Sequence, residues 1–353
     1  INILSNMVDT LVKETTTVTE DVSGSLLISA ADGATLKGIQ IGGDLILAPG
    51  VTKDVTLVDC VIQGNIRNYG TGEVRFEAPQ ITPESTATKP SEVYKPGATL
   101  DRTLEYGGKT VPIYRDRPLN VFSDVDFIWT DEENETQRRL EYLGGQFRTR
   151  YGIDVSSFQG EIDWDAVADD NIDFAMVRVG FRGTGTGSLN TDKYYEQNIR
   201  GAMRAGLETG VYFFAQAVTV EEAIEEADYV ISLLDGLDIN GPVAYDWEMH
   251  DSTYRVYGTS PEMATACAVA FCQRIKDAGY TPMVYGGTYV TYMKYDQGAL
   301  ADYLSWYPEY KSEKSEKLCP TLVYHMDYWQ FSSTRAVAGI NGRVDMNIQF
   351  IRR

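Results

Sequence analysis

The chain is poor in the two residue types on which metal sites and disulfide frameworks depend. Of its 353 residues, 4 are cysteine and 2 are histidine. The cysteines have no metal-binding spacing, and His250 and His325 stand apart from them and from each other. Cys267 and Cys272 are five positions apart in a stretch predicted to be helical, which turns them to different faces. We therefore expect buried thiols, no metal site and no organic cofactor.

Long apolar runs and a surplus of basic charge are also missing. No hydrophobic stretch approaches the ~18 residues that a membrane span requires. With 31 Lys and Arg against 51 Asp and Glu, the net charge is −20, which argues against nucleic acid as a partner. The surplus of acid lies mainly in residues 151–353, where it fits either a carbohydrate cleft or simple solubility. Because the chain begins at Ile1, we expect that a signal peptide or an anchor has been removed.

Short apolar segments separated by Gly, Asp and Asn turns predict a small all-β module over residues 1–80. The alternation is clear from Leu36 to Ile41, and no helical period intervenes. Closely spaced short strands with glycine corners are typical of a short β-solenoid or a small sandwich. Aromatic residues are scarce here, with Tyr69 and Phe76 nearly alone. A spacer or a self-association unit is therefore favoured over a sugar-binding module, which needs aromatic platforms.

Residues 81–150 are predicted to form a linker and then a connector that packs on the next domain. The linker is rich in Pro, Thr, Ser and Lys, a composition that favours an extended chain. In the connector, the pattern from Gly107 to Tyr114 predicts a small hairpin. The stretch from Asp131 to Leu143 predicts a helix, because its acids come early and its arginines late, as the helix dipole prefers.

From residue 151 onward, predicted strands and helices alternate, which is the pattern of a parallel sheet covered by helices. Three more apolar segments, at 303–307, 324–331 and 345–350, follow with little room for helices between them. Eight strands predict a barrel whose last third is poor in helices. The five earlier strands are predicted at Tyr151–Ser156, Phe174–Val179, Gly210–Ala215, Val243–Glu248 and Pro282–Gly286, and the helices at Trp164–Asp169, Asp192–Ala205, Val220–Leu234 and Pro261–Ala278.

The fourth of these strands carries two carboxylates, Asp246 and Glu248, inside an apolar run. At spacing i, i+2 both side chains point to one face of the strand, with their Cα atoms ~6.5 Å apart. Their mutual repulsion is expected to raise the pKa of at least one of them, as acid–base chemistry on a glycosidic bond requires. On an exposed edge strand, the same pair would be solvated and without function.

Other polar residues stand at the ends of predicted strands. Asp154 and Ser156 close the first strand, Gln330 lies late in the seventh, and Asp345 opens the eighth. In a parallel barrel, functional groups collect at the C-terminal ends of the strands. Acids within apolar strands are costly to bury unless they are paired or functional. Four acids at one rim favour an active site over barrel-core acids tied by hydrogen bonds.

Several blocks of residues 151–353 carry a family resemblance. They are Gly152-Ile153-Asp154-Val155-Ser156 with Gln159-Gly160, Ile162-Asp163-Trp164, Phe174 to Gly183, Gly210-Val211-Tyr212-Phe213-Phe214, Tyr245-Asp246-Trp247-Glu248, Trp329-Gln330-Phe331-Ser332 and Val344-Asp345-Met346-Asn347. In order and spacing, this region closely resembles the glycoside hydrolase family 25 lysozymes, the Chalaropsis-type N-acetylmuramidases. The resemblance implies an α/β fold, an irregular (β/α)5β3 TIM-like barrel, over residues 151–353. Residues 1–150 have no part in it.

The resemblance also implies an activity, namely cleavage of the β-1,4 bond between N-acetylmuramic acid and N-acetylglucosamine in the glycan strands of peptidoglycan. Glu248 matches the general acid of the family and is expected to have a raised pKa. Asp246 matches the partner carboxylate, which is expected to stay ionised and to stabilise an oxocarbenium ion or an attacking 2-acetamido group. Asp154 and Asp345 match the other acids at the rim. An extracellular or cell-wall location follows from this substrate.

The candidate sugar contacts are side chains that stack on pyranose rings or donate hydrogen bonds to them, although any one aromatic among them is as readily barrel core. They are Arg178, Tyr212, Phe214, Tyr285, Trp306, Trp329 and Gln330. The chain departs from the family in its sixth strand, where Ser305-Trp306-Tyr307 stands in place of the usual Trp-x-Ala. The charged run from Lys311 to Lys317 that follows is expected to be a solvated loop.

Two other functions compete with this one. A non-catalytic wall-binding protein on the same barrel is expected to have lost Asp246 or Glu248, and both are present. A chitinase-like hydrolase of β-N-acetylhexosaminides is expected to show the longer run D-x-x-D-x-D-x-E, whereas Pro242 to Tyr245 here contain no acid.

Overall fold

The structure, a computed structural model, describes residues 10–58, 60–62, 64–77, 88–97, 99–130 and 134–353. It divides into two compact units. One unit comprises Ile1–Thr86 with Gly183–Ser188, and the other comprises Ala87–Arg182 with Leu189–Arg353. Among the described residues, no helix is both long enough and apolar enough to cross a membrane.

The described part of the first unit contains short parallel strands. Leu26 pairs with Leu45, and both are fully buried in an aliphatic core, whereas Ile66, which pairs with Leu45 one strand further, is exposed. The turn at Gly33 requires glycine, because its φ is +76° and a Cβ would lie 2.0 Å from the carbonyl oxygen of Asp54. The sheet orders are β1-β3-β6-β9, β10-β7-β4-β2 and β5-β8, with strands β1 (Thr10–Val12), β2 (Thr17–Val18), β3 (Leu26–Ile28), β4 (Ala34–Lys37), β5 (Gln40–Ile41), β6 (Leu45–Leu47), β7 (Val55–Val58), β8 (Val61–Ile62), β9 (Ile66–Asn68) and β10 (Val74–Glu77).

In the sequence, two antiparallel hairpins follow this unit and precede the barrel strands. Their elements are α1 (Pro90–Val93), β11 (Leu100–Tyr106), β12 (Lys109–Tyr114), β13 (Phe127–Trp129) and β14 (Leu140–Tyr142). The helix predicted from Asp131 to Leu143 is wrong in its described part, which contains only a 3-10 turn at Glu135–Gln137 before β14. Leu140 is fully buried while its neighbours Glu141 and Tyr142 are more exposed. The burial of Leu140 in a strand therefore mattered more than the order of charges, which favoured a helix.

Eight strands of the second unit form a closed barrel in the order β15-β23-β22-β21-β20-β19-β18-β16, and pairing of β16 with β15 closes the ring. A ninth strand, β17, pairs antiparallel with the end of β16, outside the ring. The strands are β15 (Phe147–Val155), β16 (Phe174–Arg182), β17 (Leu189–Thr191), β18 (Glu208–Ala215), β19 (Val243–Trp247), β20 (Pro282–Tyr285), β21 (Leu304–Pro308), β22 (Tyr328–Arg335) and β23 (Val344–Arg352). The helices are α2 (Trp164–Asp169), α3 (Tyr195–Arg204), α4 (Val220–Leu233), α5 (Pro261–Asp277) and α6 (Thr288–Met293).

The prediction of an all-parallel sheet is wrong for the last strand. β23 runs antiparallel to both of its neighbours, β22 and β15. Only residues 336–343 separate β22 from β23, and a parallel crossover needs a longer connection than that. The reversal places Asp345, at the start of β23, directly opposite Asp154, at the C-terminal end of β15.

Candidate active site

A cavity of about 360 Å³ opens at the C-terminal ends of the parallel barrel strands. It brings together all four acids predicted from the sequence and every predicted sugar contact except Trp329. Its lining consists of Asp154, Ser156, Phe158, Gln159, Arg178, Tyr212, Phe214, Asp246, Glu248, His250, Tyr285, Trp306, Tyr310, Gln330 and Asp345.

The first acid pair of this cavity is Asp246 and Glu248. β19 is buried along its whole length, with Asp246 facing the cavity, and Glu248 follows directly after the strand ends. The two side chains are hydrogen bonded to each other. Asp246 is only 5% exposed, whereas the side chain of Glu248 is 28% exposed. His250 Nε2 lies 3.4 Å from Glu248 Oε2, on the open side.

Burial raises the pKa of both members of this pair. The pKa of Asp246 lies well above its usual range, because burial and the neighbouring Glu248 carboxylate both disfavour its charge. The hydrogen bond from Asp246 acts in the opposite direction on Glu248 and favours its carboxylate. These directions oppose two negative charges on the pair, and the expectation that Asp246 is the ionised member stays a prediction.

The second acid pair is Asp154 and Asp345, which face each other across β15 and β23. Asp154 Oδ2 accepts hydrogen bonds from Gln330 Nε2 and Asn347 Nδ2, both at 2.8 Å. Burial raises the pKa of Asp154 to about 6, although these amides favour its charged form. Burial and the adjacent Asp154 charge raise the pKa of Asp345 to about 8. These shifts favour one retained proton in this pair, and the two amide donors favour the negative charge on Asp154.

The comparison with protein families agrees with this geometry. The model of glycosyl hydrolases family 25 matches residues 153–340, more than half of the chain. The chain belongs to glycosyl hydrolases family 25. The match covers the barrel from β15 to the loop before β23, and with it every acid of the cavity except Asp345.

Curated relatives in this family are similar at low identity. The chain is 25% identical to the autolytic lysozyme of Clostridium acetobutylicum over 197 residues, which is 56% of this chain and 54% of that protein. It is 27% identical to lysozyme M1 of Streptomyces globisporus over 201 residues, 56% of this chain and 66% of that protein. The chain thus spans about half the length of the first relative and two thirds of the second. A solved structure of the bacterial lysozyme from Streptomyces coelicolor is 26% identical, with 56% of this chain and 90% of that chain covered and a TM-score of 0.46.

One predicted sugar contact, Trp329, does not line the cavity of this family 25 barrel. Successive residues of β22 face opposite sides, so Gln330 turns inward and Trp329 outward. Trp329 is fully buried, its ring centroid lies 5.4 Å from that of Phe127, and its Nε1 donates to the Glu309 carbonyl at 3.0 Å. It belongs to the layer outside the barrel.

Four residues of this candidate site were not predicted as site residues from the sequence. Asn347 is fully buried and connects two neighbours, donating to Asp154 and accepting from Trp306 Nε1 at 2.7 Å. Its position two residues after Asp345 was a usable signal, because the same alternation pairs Asp246 with Glu248. Phe158, Gln159 and Tyr310 also line the cavity, and residues Phe158 and Tyr310 are 85% and 55% exposed. No spacing rule predicts these three as site residues, since all of them lie outside strands.

The charged run from Lys311 to Lys317 is not wholly a solvated loop. Lys311 is buried, and its Nζ lies 2.6 Å from Glu309 Oε1. Glu313 lies 3.3 Å from Arg335, whose side chain is only 6% exposed. These ion pairs hold the segment that follows β21 against the barrel and so fix Tyr310, whose hydroxyl donates to Gln330 Oε1 at 3.2 Å.

Arg178 is held at the cavity wall by neighbours that satisfy its charge. Its Nη2 lies 2.8 Å from Asp192 Oδ2 and donates to Ser157 Oγ at 3.2 Å. The guanidinium also lies 5.1 Å from the centre of the Phe158 ring. The sequence predicted Arg178 as a sugar contact, and the structure places it in the cavity lining, over one face of the Phe158 ring. Within the described residues, no group of three or more His, Cys, Asp and Glu side chains is arranged to hold a metal ion.

Proposed function

We propose that this chain is a peptidoglycan hydrolase, a lysozyme that cleaves the β-1,4 bond between N-acetylmuramic acid and N-acetylglucosamine. The observation that carries the proposal is the hydrogen-bonded pair of Asp246 and Glu248 in the cavity of a family 25 barrel. A carboxyl pair that retains a proton supplies the acid that a glycosidic oxygen needs as it leaves. The names of the relatives, an autolytic lysozyme and a lysozyme, support the same substrate class.

The roles within the pair follow from a proton that the two carboxyls share. In the free cavity, burial and the Glu248 charge favour this proton on Asp246, hydrogen bonded to Glu248. Once a glycan fills the cavity, the proton passes to Glu248, the more exposed member, which protonates the leaving oxygen. Asp246 becomes the anion that stabilises an oxocarbenium ion or a 2-acetamido group. Its Oδ1 is buried and accepts no hydrogen bond from a described residue, so the protein itself does not satisfy this oxygen.

The second pair contributes fixed charge rather than a mobile proton. Asp154 is ionised above about pH 6 and is held in one orientation by Gln330 and Asn347. Its charge lies in the same cavity as Asp246 and Glu248, where it favours a positively charged transition state. Asp345 keeps its proton up to about pH 8, which limits the repulsion among the four acids.

Sugar stacking is assigned to the rings that present a free face. Phe158 and Tyr310 do so, whereas Trp306 is 2% exposed and Tyr285 is 7% exposed. We assign Trp306 and Tyr285 mainly to hydrogen bonding within the cavity, where Tyr285 donates to Gln330 Oε1 at 3.1 Å. The remaining predicted contacts, Arg178, Tyr212, Phe214 and Gln330, line the same cavity and are retained as sugar contacts.

We also propose a finer description of the fold and location. Five barrel strands followed by α2 to α6, then β21, β22 and β23 without intervening helices, support an irregular (β/α)5β3 barrel. The stacked parallel registers of β3, β6 and β9 support a short β-solenoid for the all-β module. An extracellular or cell-wall location follows from the proposed substrate.

The products of digestion test the proposed bond specificity. Purified peptidoglycan treated with this protein is expected to yield fragments whose reducing ends are N-acetylmuramic acid, identified by borohydride reduction and mass spectrometry. The matched control is the Glu248→Gln protein, which should release these fragments at least ~10²-fold more slowly. Reducing ends of N-acetylglucosamine would instead identify a glucosaminidase, and free peptides alone would identify a peptidase.

The all-β module is expected to be dispensable for chemistry. A chain that began at residue 99 would lose two contacts, since Thr88 N donates to Glu221 Oε1 at 2.7 Å and Gly97 N donates to Asp296 Oδ2 at 2.9 Å. The cut therefore belongs before residue 87, where the second unit begins. Residues 87–353 should hydrolyse soluble glycan fragments within about twofold of the rate of the whole chain. Residues 1–86 alone should not sediment with cell walls; if they do, the module is a wall anchor.

A further inference from the structure

Glu248 lies just beyond the point where the barrel ladder stops supporting its strand. The pairing of β18 with β19 ends at Ala215 opposite Trp247, and the pairing of β20 with β19 ends at Tyr285 opposite Asp246. No strand pairing therefore fixes the backbone of Glu248. A side chain takes that place, because Gln216 Nε2 donates to the carbonyl oxygen of Glu248 at 2.8 Å.

At this position the side-chain amide of Gln216 faces carbonyl oxygens, so only its nitrogen, the donor, can form hydrogen bonds with them. Nε2 also donates to the carbonyl oxygen of Ala215 at 3.0 Å, so both of its neighbours are acceptors. Gln216 is fully buried, so water does not compete for its hydrogen bond to the carbonyl oxygen of Glu248, and this bond is strengthened.

Both backbone polar groups of Gln216 are hydrogen bonded to side chains: Glu226, which lies on α4, and Arg255, which is paired with α4. Its N–H donates to Glu226 Oε1 at 3.0 Å, and its carbonyl accepts from Arg255 Nη1 at 2.8 Å. Glu226 Oε1 also accepts from Arg182 Nε at 2.8 Å, and Arg255 pairs with both oxygens of Glu222 at 2.7 and 2.9 Å. Because Glu222 and Glu226 are one turn apart on α4, both supports rest on a single helix.

Gln216 consequently joins the two ends of the segment that follows the strand. Its side chain binds the carbonyl of Glu248, and its carbonyl binds Arg255, seven residues further along. A second link, from Trp247 Nε1 to the carbonyl of Ala217 at 3.1 Å, ties the same two segments together on the other side.

We propose that Gln216 is a positioning residue that sets the backbone of Glu248, and thereby aims its carboxyl at Asp246 and at the glycosidic oxygen. The proposal rests on the function proposed above. Gln216 does not line the cavity and touches no sugar, so its effect is on the chemical step and not on binding.

Two variants of Gln216 separate positioning from simple packing. Gln216→Met keeps the volume but removes the donor, and kcat on soluble glycan fragments is expected to fall about 10- to 100-fold with KM nearly unchanged. Gln216→Glu places a carboxyl against two carbonyl oxygens, and it can donate a hydrogen bond only when protonated. Its kcat relative to that of the unaltered protein should therefore rise as the pH falls, whereas the ratio for Gln216→Met should stay flat.

The matched control is Gln297→Met, which also removes a buried amide, one that accepts from Arg117 Nη1 at 3.1 Å and does not line the acidic cavity. Its melting temperature should fall comparably while kcat is retained. The proposal is overturned if Gln216→Met keeps its kcat, if only its KM changes, or if Gln297→Met loses as much kcat. A Glu248→Gln protein with normal turnover would instead refute the underlying function.

Discussion

Replacing Glu248 by glutamine is expected to lower kcat on peptidoglycan at least ~10²-fold, because the amide has no proton to give to the leaving oxygen. The substitution preserves the shape of the side chain and can still accept the hydrogen bond from Asp246. The melting temperature and the affinity for glycan fragments should therefore change little. Release of reducing ends, measured at saturating substrate, gives kcat directly.

Glu262→Gln provides the control for this experiment, since Glu262 is exposed at the start of α5 and does not line the cavity. It should leave turnover unchanged. Near-normal turnover of Glu248→Gln would move the acid role elsewhere, and Asp154, with a pKa raised to about 6, would be the next candidate.

Asp246→Asn is expected to be comparably damaging, with a loss of at least ~10²-fold in kcat. Asparagine can still donate a hydrogen bond to Glu248, but it can neither pass a proton to Glu248 nor become an anion. A small loss would show that Asp246 acts only as a hydrogen-bond donor. Asp165→Asn, at an exposed position of α2, should retain full activity as the control.

The same variant is expected to change the pH dependence in a defined direction. In the unaltered pair, loss of the last proton creates two buried negative charges, which holds the pair's upper pKa high. Activity should therefore fall as the pH rises through that value. Without the Asp246 charge, the proton on Glu248 leaves more easily, so the alkaline limb of kcat/KM should move to lower pH. A limb that stays in place would contradict the shared proton.

Much of the barrel could be predicted because strand and helix periods are local properties of a sequence. The acids Asp246 and Glu248 were found by the rule that residues two apart share a strand face. The same rule, applied to Trp329 and Gln330, would have kept the tryptophan out of the site, since adjacent strand residues face opposite sides. The wrong helix from Asp131 to Leu143 has a different cause, because its charge order suited a helix while the burial of Leu140 required a strand.

The sequence by itself determined which side chains are available for chemistry and which of them share a strand face. Only the tertiary structure decided the direction in which their pKa values shift, because the pKa of Asp246 is raised by burial among distant segments and by the charge and hydrogen bond of Glu248. The tertiary structure also decided at which end of the barrel Asp345 lies. That depends on the direction of β23, which is set by its antiparallel pairing with β15 and β22. Distances between segments far apart in the chain set both properties, and no local pattern encodes them.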